Sequence, residues 1–90
     1  MLNSYKKLSS KGWAKLSPKT RKMRKYIYRK CGNKCFLGKK LSFPICSKKS
    51  CKLNNKGLYA AYSRAKQYKY KSIASKSRKI LQKRGFKFNQ

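Results

Sequence analysis

The stretch from Lys30 to Cys51, KCGNKCFLGKKLSFPICSKKSC, holds all four cysteines of the chain and decides how it folds. Cys31, Cys35, Cys46 and Cys51 are spaced C-x3-C-x10-C-x4-C. Between the inner pair, Phe36-Leu37 and Leu41 to Phe43 form apolar arms around Gly38-Lys39-Lys40, and Pro44 confines the second arm to an edge. The pattern predicts a short β-hairpin over 35–46. Two chemistries fit the cysteines. Four thiolates can hold zinc tetrahedrally; Lys30, Lys34 and Lys52 nearby favour the thiolate form, and synthesis in the cytosol disfavours disulfides. Against zinc, neither pair has the usual C-x2-C spacing. Alternatively, the four cysteines form two disulfides. Of the three connectivities, the hairpin places Cys35 opposite Cys46 across its base, which leaves Cys31 for Cys51. Each bridge would contribute about 3 kcal/mol in the chain-entropy model. Spacing alone leaves zinc and disulfides level, and the absence of C-x-x-C argues against a redox enzyme.

Outward from this centre the chain reads as helices. Ser17-Pro18 supplies an N-cap oxygen and a proline pre-organised for the first helical position. Thr20, Met23, Tyr26, Ile27 and Cys31 then recur at helical spacing, with Arg21, Lys22, Arg24, Lys25 and Arg29 opposite and Gly32 as the stop. This predicts a helix over 18–31. After a polar, lysine-rich loop over 47–56, a long helix is expected over 58–84, closed by Gly85. Leu58, Ala61, Tyr62, Ala65 and Tyr68 share one face of its first half. Ile73, Ala74, Ile80 and Leu81 lie about 100° away. Either the helix breaks near Lys71-Ser72 or its second half packs against something else. Residues 1–16 read as a basic extended arm with anchors at Leu2, Tyr5, Leu8, Trp13 and Leu16, and 86–90 as a tail. Trp13 is expected to plug the small core more than to meet a partner. The fold class is therefore small and mainly α: helix, short β-hairpin, long helix, stapled by four cysteines as one domain over 17–85, with basic, partly extended termini.

Composition limits the chemistry. The 90 residues include 28 Lys and Arg and no Asp, Glu or His, a formal charge of +28. General acid–base catalysis near neutral pH needs a carboxylate, a histidine or a tuned equivalent, so an enzyme is not expected. Magnesium and calcium sites need carboxylate oxygens. Such a charge opposes compaction, and high net charge at modest hydrophobicity is the profile of a chain that orders against a partner. The working state is expected to include an acidic protein surface or a polyanion. The candidate contacts are Arg21, Lys22, Arg24, Lys25 and Arg29 on the first helix and Arg64, Lys71, Arg78, Lys79 and Arg84 on the second, with Trp13, Tyr26 and Tyr62 as apolar anchors. Lysine predominance points to point-charge contact with phosphates or carboxylates and not to base reading. The charge suffices for roughly 50 Å of duplex axis. The tyrosine pairs Tyr26/Tyr28 and Tyr68/Tyr70 suit a core or a protein interface better than base stacking. No window reads as a signal peptide or a membrane span, although an anionic membrane surface remains compatible with the charge.

The segments KGWAKLSP (11–18) and KCGNKCFLGKKLSFPICSKKSCKLNNKGLYAAYSRA (30–65), with the basic helix that follows, resemble small basic proteins of giant viruses, the nucleocytoplasmic large DNA viruses. The resemblance implies a structural virion component assembled in the host cytoplasm, with no small-molecule substrate. Such viruses encode a sulfhydryl oxidase that makes disulfides in cytosolically assembled proteins, so the resemblance implies Cys31–Cys51 and Cys35–Cys46 disulfides and no cofactor, with zinc as the other outcome. The expected role is a minor capsid or cement protein between acidic neighbours. The alternative is a protein that condenses the viral genome without reading sequence, and a third is a ribosomal-type RNA binder with a zinc clip.

Overall fold

Both disulfides form, Cys31–Cys51 and Cys35–Cys46, with Cα atoms 5.2 and 5.1 Å apart. They lie against one another: the Cys35 and Cys46 sulfurs sit 3.8 and 3.5 Å from the Cys51 carbonyl oxygen. The computed structural model describes residues 9–88. Leu2, Tyr5 and Leu8 of the expected arm, and the last two residues of the tail, lie outside the described residues. Among the described residues there are four helices, α1 (Trp13–Leu16), α2 (Arg21–Cys31), α3 (Asn55–Gln67) and α4 (Lys71–Lys83), with 3-10 turns at Asn33–Cys35 and Lys39–Leu41.

Helix α2 ends at Gly32 as expected, but it starts three residues later than Pro18. Thr20 is the N-cap, its Oγ1 accepting from the Met23 N–H at 3.1 Å. Pro18 is instead fully buried in the link from α1, and its carbonyl accepts from Arg24 Nε at 2.9 Å. The helix also turns a different face inward. Ile27 is buried and Arg24 and Cys31 are half-buried, while Met23 and Tyr26 are exposed. Arg24, Ile27 and Cys31 lie at i, i+3 and i+7, a stripe at least as regular as the apolar one. The Cys31 bridge pins that stripe against the centre.

The expected hairpin reduces to one antiparallel bridge, Phe36 with Pro44, accompanied by hydrogen bonds from the Leu37 and Gly38 N–H groups to the Phe43 and Ser42 carbonyls, both at 3.1 Å. Past Pro44 the Ile45 N–H donates to the Cys35 carbonyl at 2.8 Å, so the proline sits at a position of the pairing where its missing N–H is not needed. A second isolated bridge joins Cys46 to Leu53, and the Asn54 N–H donates to the Ile45 carbonyl at 2.7 Å. The segment through Ile45 and Cys46 therefore runs between two halves of the core. On one side Ile27, Cys35, Phe36 and Cys46 are buried together; on the other are Ile45, Leu58, Ala61, Leu81 and Phe86, and Leu53 packs against both.

The long helix breaks, and it does so at 68–70, just before Lys71. Lys69 adopts φ 62°, its N–H donates to the Lys66 carbonyl at 3.2 Å, and the Tyr70 N–H donates to the Ala65 carbonyl at 2.8 Å. That pair of bonds is the left-handed helix terminator usually built on glycine. The same motif closes α4: Gly85 has φ 96°, its N–H donates to the Gln82 carbonyl at 3.1 Å, and the Phe86 N–H to the Leu81 carbonyl at 3.1 Å. The reversal packs α4 back on α3, so the two stripes about 100° apart become facing surfaces of a helical hairpin. Small residues line that contact, with Ala61, Ala65 and Ser77 all buried. The Ser77 hydroxyl is satisfied within α4 by the Ile73 and Ala74 carbonyls, each at 3.2 Å.

Helix α3 begins at Asn55, earlier than 58, because Asn54 Oδ1 accepts from the Lys56 and Gly57 N–H groups at 2.8 and 3.2 Å. Gly57 lies inside the helix against Trp13; a Cβ there would come within 2.7 Å of the indole ring. Trp13 is 8% exposed, which is the plug expected of it. The basic arm is thus not extended up to residue 16, and the domain reaches back to Trp13. At the other end Phe86 is buried and Phe88 stacks edge-on to Tyr62 at 4.9 Å, so the start of the tail belongs to the core.

Two outcomes follow. The Cys35→Ser/Cys46→Ser variant should lose about 3 kcal/mol, read as a lower urea midpoint and rapid limited proteolysis; an unchanged midpoint would remove the inner bridge from any role in stability. Lys69→Gly should raise stability by about 1 kcal/mol, since a left-handed conformation costs a side-chain-bearing residue roughly that much, and thermal melting at high salt measures it.

Candidate polyanion-binding surface

The ten cations expected to meet a polyanion separate into three groups. Arg21, Lys22, Lys25 and Arg29 are exposed on α2, and Lys79 is exposed on α4. Arg24 and Arg84 are structural. Arg24 donates from Nε to the Pro18 carbonyl and from Nη1 to the Leu41 carbonyl at 3.3 Å. It thereby holds the 39–43 loop, in which Lys40, Leu41 and Phe43 all have positive φ. Arg84 donates from Nη1 to the Leu53 carbonyl at 3.0 Å and to Asn55 Oδ1 at 2.7 Å, tying the end of α4 to the start of α3. Both half-buried guanidiniums find neutral oxygens in a chain without carboxylate side chains.

The remaining three, Arg64, Lys71 and Arg78, border two concave regions. A groove of about 520 Å³ runs between α1, the 42–44 segment and α3, floored by Trp13, Phe43, Pro44 and Ala61 and bordered by Lys19, Arg24, Arg64, Tyr68 and Tyr70. A smaller cleft of about 350 Å³ lies between α3 and α4, lined by Tyr62, Ala65, Lys66, Lys69, Lys71, Ala74, Ser75 and Arg78. The helix reversal sorts the alternating run Tyr68-Lys69-Tyr70-Lys71: its tyrosines border the groove and its lysines border the cleft. Lys66 and Lys69 were not singled out from the sequence. The alternation at the point where the helical stripe shifts was the available signal.

Aromatic placement removes the core half of the core-or-interface expectation. Tyr26, Tyr28, Tyr68 and Tyr70 are 56%, 47%, 55% and 53% exposed, so none of the four fills the core. Tyr70 makes an edge-on contact with Phe43 at 5.8 Å and a tilted one with Tyr68 at 6.4 Å. Of the three apolar anchors, Trp13 is used internally, Tyr26 is exposed with Lys30 Nζ 5.8 Å from its ring, and Tyr62 is half-buried beside Tyr59 and Phe88.

All four cysteines are consumed in the two disulfides, which takes away the donor set of the zinc alternative, and no cluster of three potential metal ligands occurs among the described residues. No helix of the described residues is long and apolar enough to cross a membrane. Comparison with known protein families, curated proteins and solved structures returns no match.

The dual use of Arg24 can be checked by a substitution that keeps its charge. Arg24→Lys should lose about 1–2 kcal/mol because a single ammonium nitrogen cannot take both the Nε and Nη1 positions from which the guanidinium reaches the two carbonyls. Arg21→Lys, on the exposed face, should stay within about 0.5 kcal/mol. Urea titration of both variants distinguishes them, and equal midpoints would contradict the assignment.

Proposed function

We propose that this chain is a non-enzymatic structural protein of a large DNA virus particle, a basic minor capsid or cement protein that binds acidic neighbours by charge and by exposed tyrosines. The observation that carries the reading is the combination of +28 with no acidic side chain on a disulfide-clamped scaffold. Such a surface has no counter-charge of its own to compete for its cations. Its exposed tyrosines, Tyr26 with Lys30 Nζ 5.8 Å from its ring and Tyr68 and Tyr70 in the groove that Arg64 also lines, match the usual composition of protein interfaces, where tyrosine and arginine are enriched. Arg21, Lys22, Lys25 and Arg29 on α2 form one contact face, while Tyr68, Tyr70 and Arg64 around the groove form another. Two such faces on one rigid body suit a protein that joins two neighbours. The sequence resemblance to giant-virus proteins supplies the particle context and an oxidant for the staples during assembly in the host cytoplasm.

The second reading, genome condensation without sequence recognition, is favoured by lysine predominance, since ammonium groups match phosphates as point charges. The two readings separate when particles are broken open. A cement protein should stay with the shell at a fixed ratio to the major shell protein, and its binding to purified shell protein should weaken steeply between low and physiological salt. Co-purification with released DNA in variable excess would overturn the cement reading in favour of condensation.

A further inference from the structure

We propose that the cleft between α3 and α4 is a binding site for a compact polyphosphate group. Four cations line it, Lys66, Lys69, Lys71 and Arg78, around a floor of small residues and within about 350 Å³. Two of the four are held in place by rings. Lys66 Nζ lies 5.7 Å from the centre of Tyr62, the Arg78 guanidinium lies 5.3 Å from the centre of Phe88, and those two rings contact each other at 4.9 Å. An aromatic pair thus carries a cation on each member, which reduces the side-chain freedom a ligand would otherwise have to restrict. Lys69 and Lys71 come from the reversal between the helices, so the cleft exists only because the long helix breaks where it does.

The charge arrangement selects the ligand class. A concave region lined by one sign of charge focuses the field and concentrates the opposite ion. No carboxylate side chain exists in the chain to neutralise these four groups internally. An anion matching them has to carry several charges inside a volume at the low end of the roughly 300–1,000 Å³ range of small-ligand sites. Consecutive phosphoryl groups do so. Carboxylates of an acidic peptide are spread along a flexible backbone and do not reach that density. The same chemistry can come from a free polyphosphate or from the backbone of a nucleic acid. The inference does not rest on the cement reading: it concerns a different face from α2 and the groove.

Calorimetric titration of the oxidised, full-length chain with tripolyphosphate at physiological salt tests it, with sulfate and a hexathymidylate as parallel probes. A saturable one-to-one event is expected for tripolyphosphate, weakened at least tenfold by Lys69→Ala and by Arg78→Gln. The charge-matched control Lys49→Gln, on an exposed residue away from the cleft, should change it less than twofold. Lys69→Ala guards against misfolding of the Arg78 variant, because Lys69 is exposed and supports no ring. If hexathymidylate binding falls in parallel, the cleft reads a nucleic-acid backbone; if it is unmoved, the cleft takes free polyphosphate. An equal loss in the control, sulfate binding as tight as tripolyphosphate, or no saturable event would each overturn the proposal.

Discussion

Uncompensated positive charge is the constraint under which every other feature of this fold operates, and the two disulfides are the interaction that answers it. Together they remove about 6 kcal/mol of loop-closure entropy from the unfolded chain, a large part of the 5–15 kcal/mol that a typical domain has in total. Repulsion between surface cations is softer than the formal charge suggests. At physiological salt the screening length is about 8 Å, and two unit charges 4 Å apart in water interact by only about 1 kcal/mol. Whatever margin the staples give therefore shrinks as salt is removed. Their position matters as much as their number. They hold the end of α2, the turn after it and the 46–53 segment as one unit, and the helical hairpin docks on that unit through Ile45, Leu53 and Leu58.

The chain also shows how a protein without acidic side chains positions its cations. Carbonyl oxygens and aromatic rings take the place of carboxylates. Arg24 and Arg84 each donate to backbone carbonyls across 17 and 31 residues of sequence, closing loops much as an ion pair would. Lys30, Lys66 and Arg78 rest near the rings of Tyr26, Tyr62 and Phe88. No buried side-chain nitrogen or oxygen among the described residues lacks a hydrogen-bond partner. Neutral acceptors hold a guanidinium without cancelling its charge, so the outward field stays intact. That property suits a molecule whose proposed task is to attract anionic neighbours.

Much of the architecture was legible locally. The hairpin argument paired Cys35 with Cys46 and left Cys31 for Cys51. Gly32 and Gly85 marked helix ends, and the shift in apolar stripe raised a break near Lys71-Ser72 as one of two outcomes for residues 58–84. The candidate site was legible only in part. Lys71, Arg78 and Tyr62 were singled out and do come together, but Arg24 and Arg84 proved to be structural, and Lys66 and Lys69 were missed. Charge identifies a cation without saying which side of the backbone it will occupy.

What the amino-acid sequence determined alone is the set of features encoded within a few neighbouring residues: helix periodicity, glycine terminators, cysteine spacing and the missing acids. What only tertiary structure decided is where the chain accepts a locally unfavourable state. Lys69 takes a left-handed conformation that costs roughly 1 kcal/mol because packing α4 on α3 returns more than that. Thr20 caps α2 in preference to Ser17 because Pro18 is buried. Arg24 turns inward because the Cys31 bridge orients its helix. Each of these is a competition between a local preference and contacts made by residues far away in the chain, and only the assembled core sets the second term.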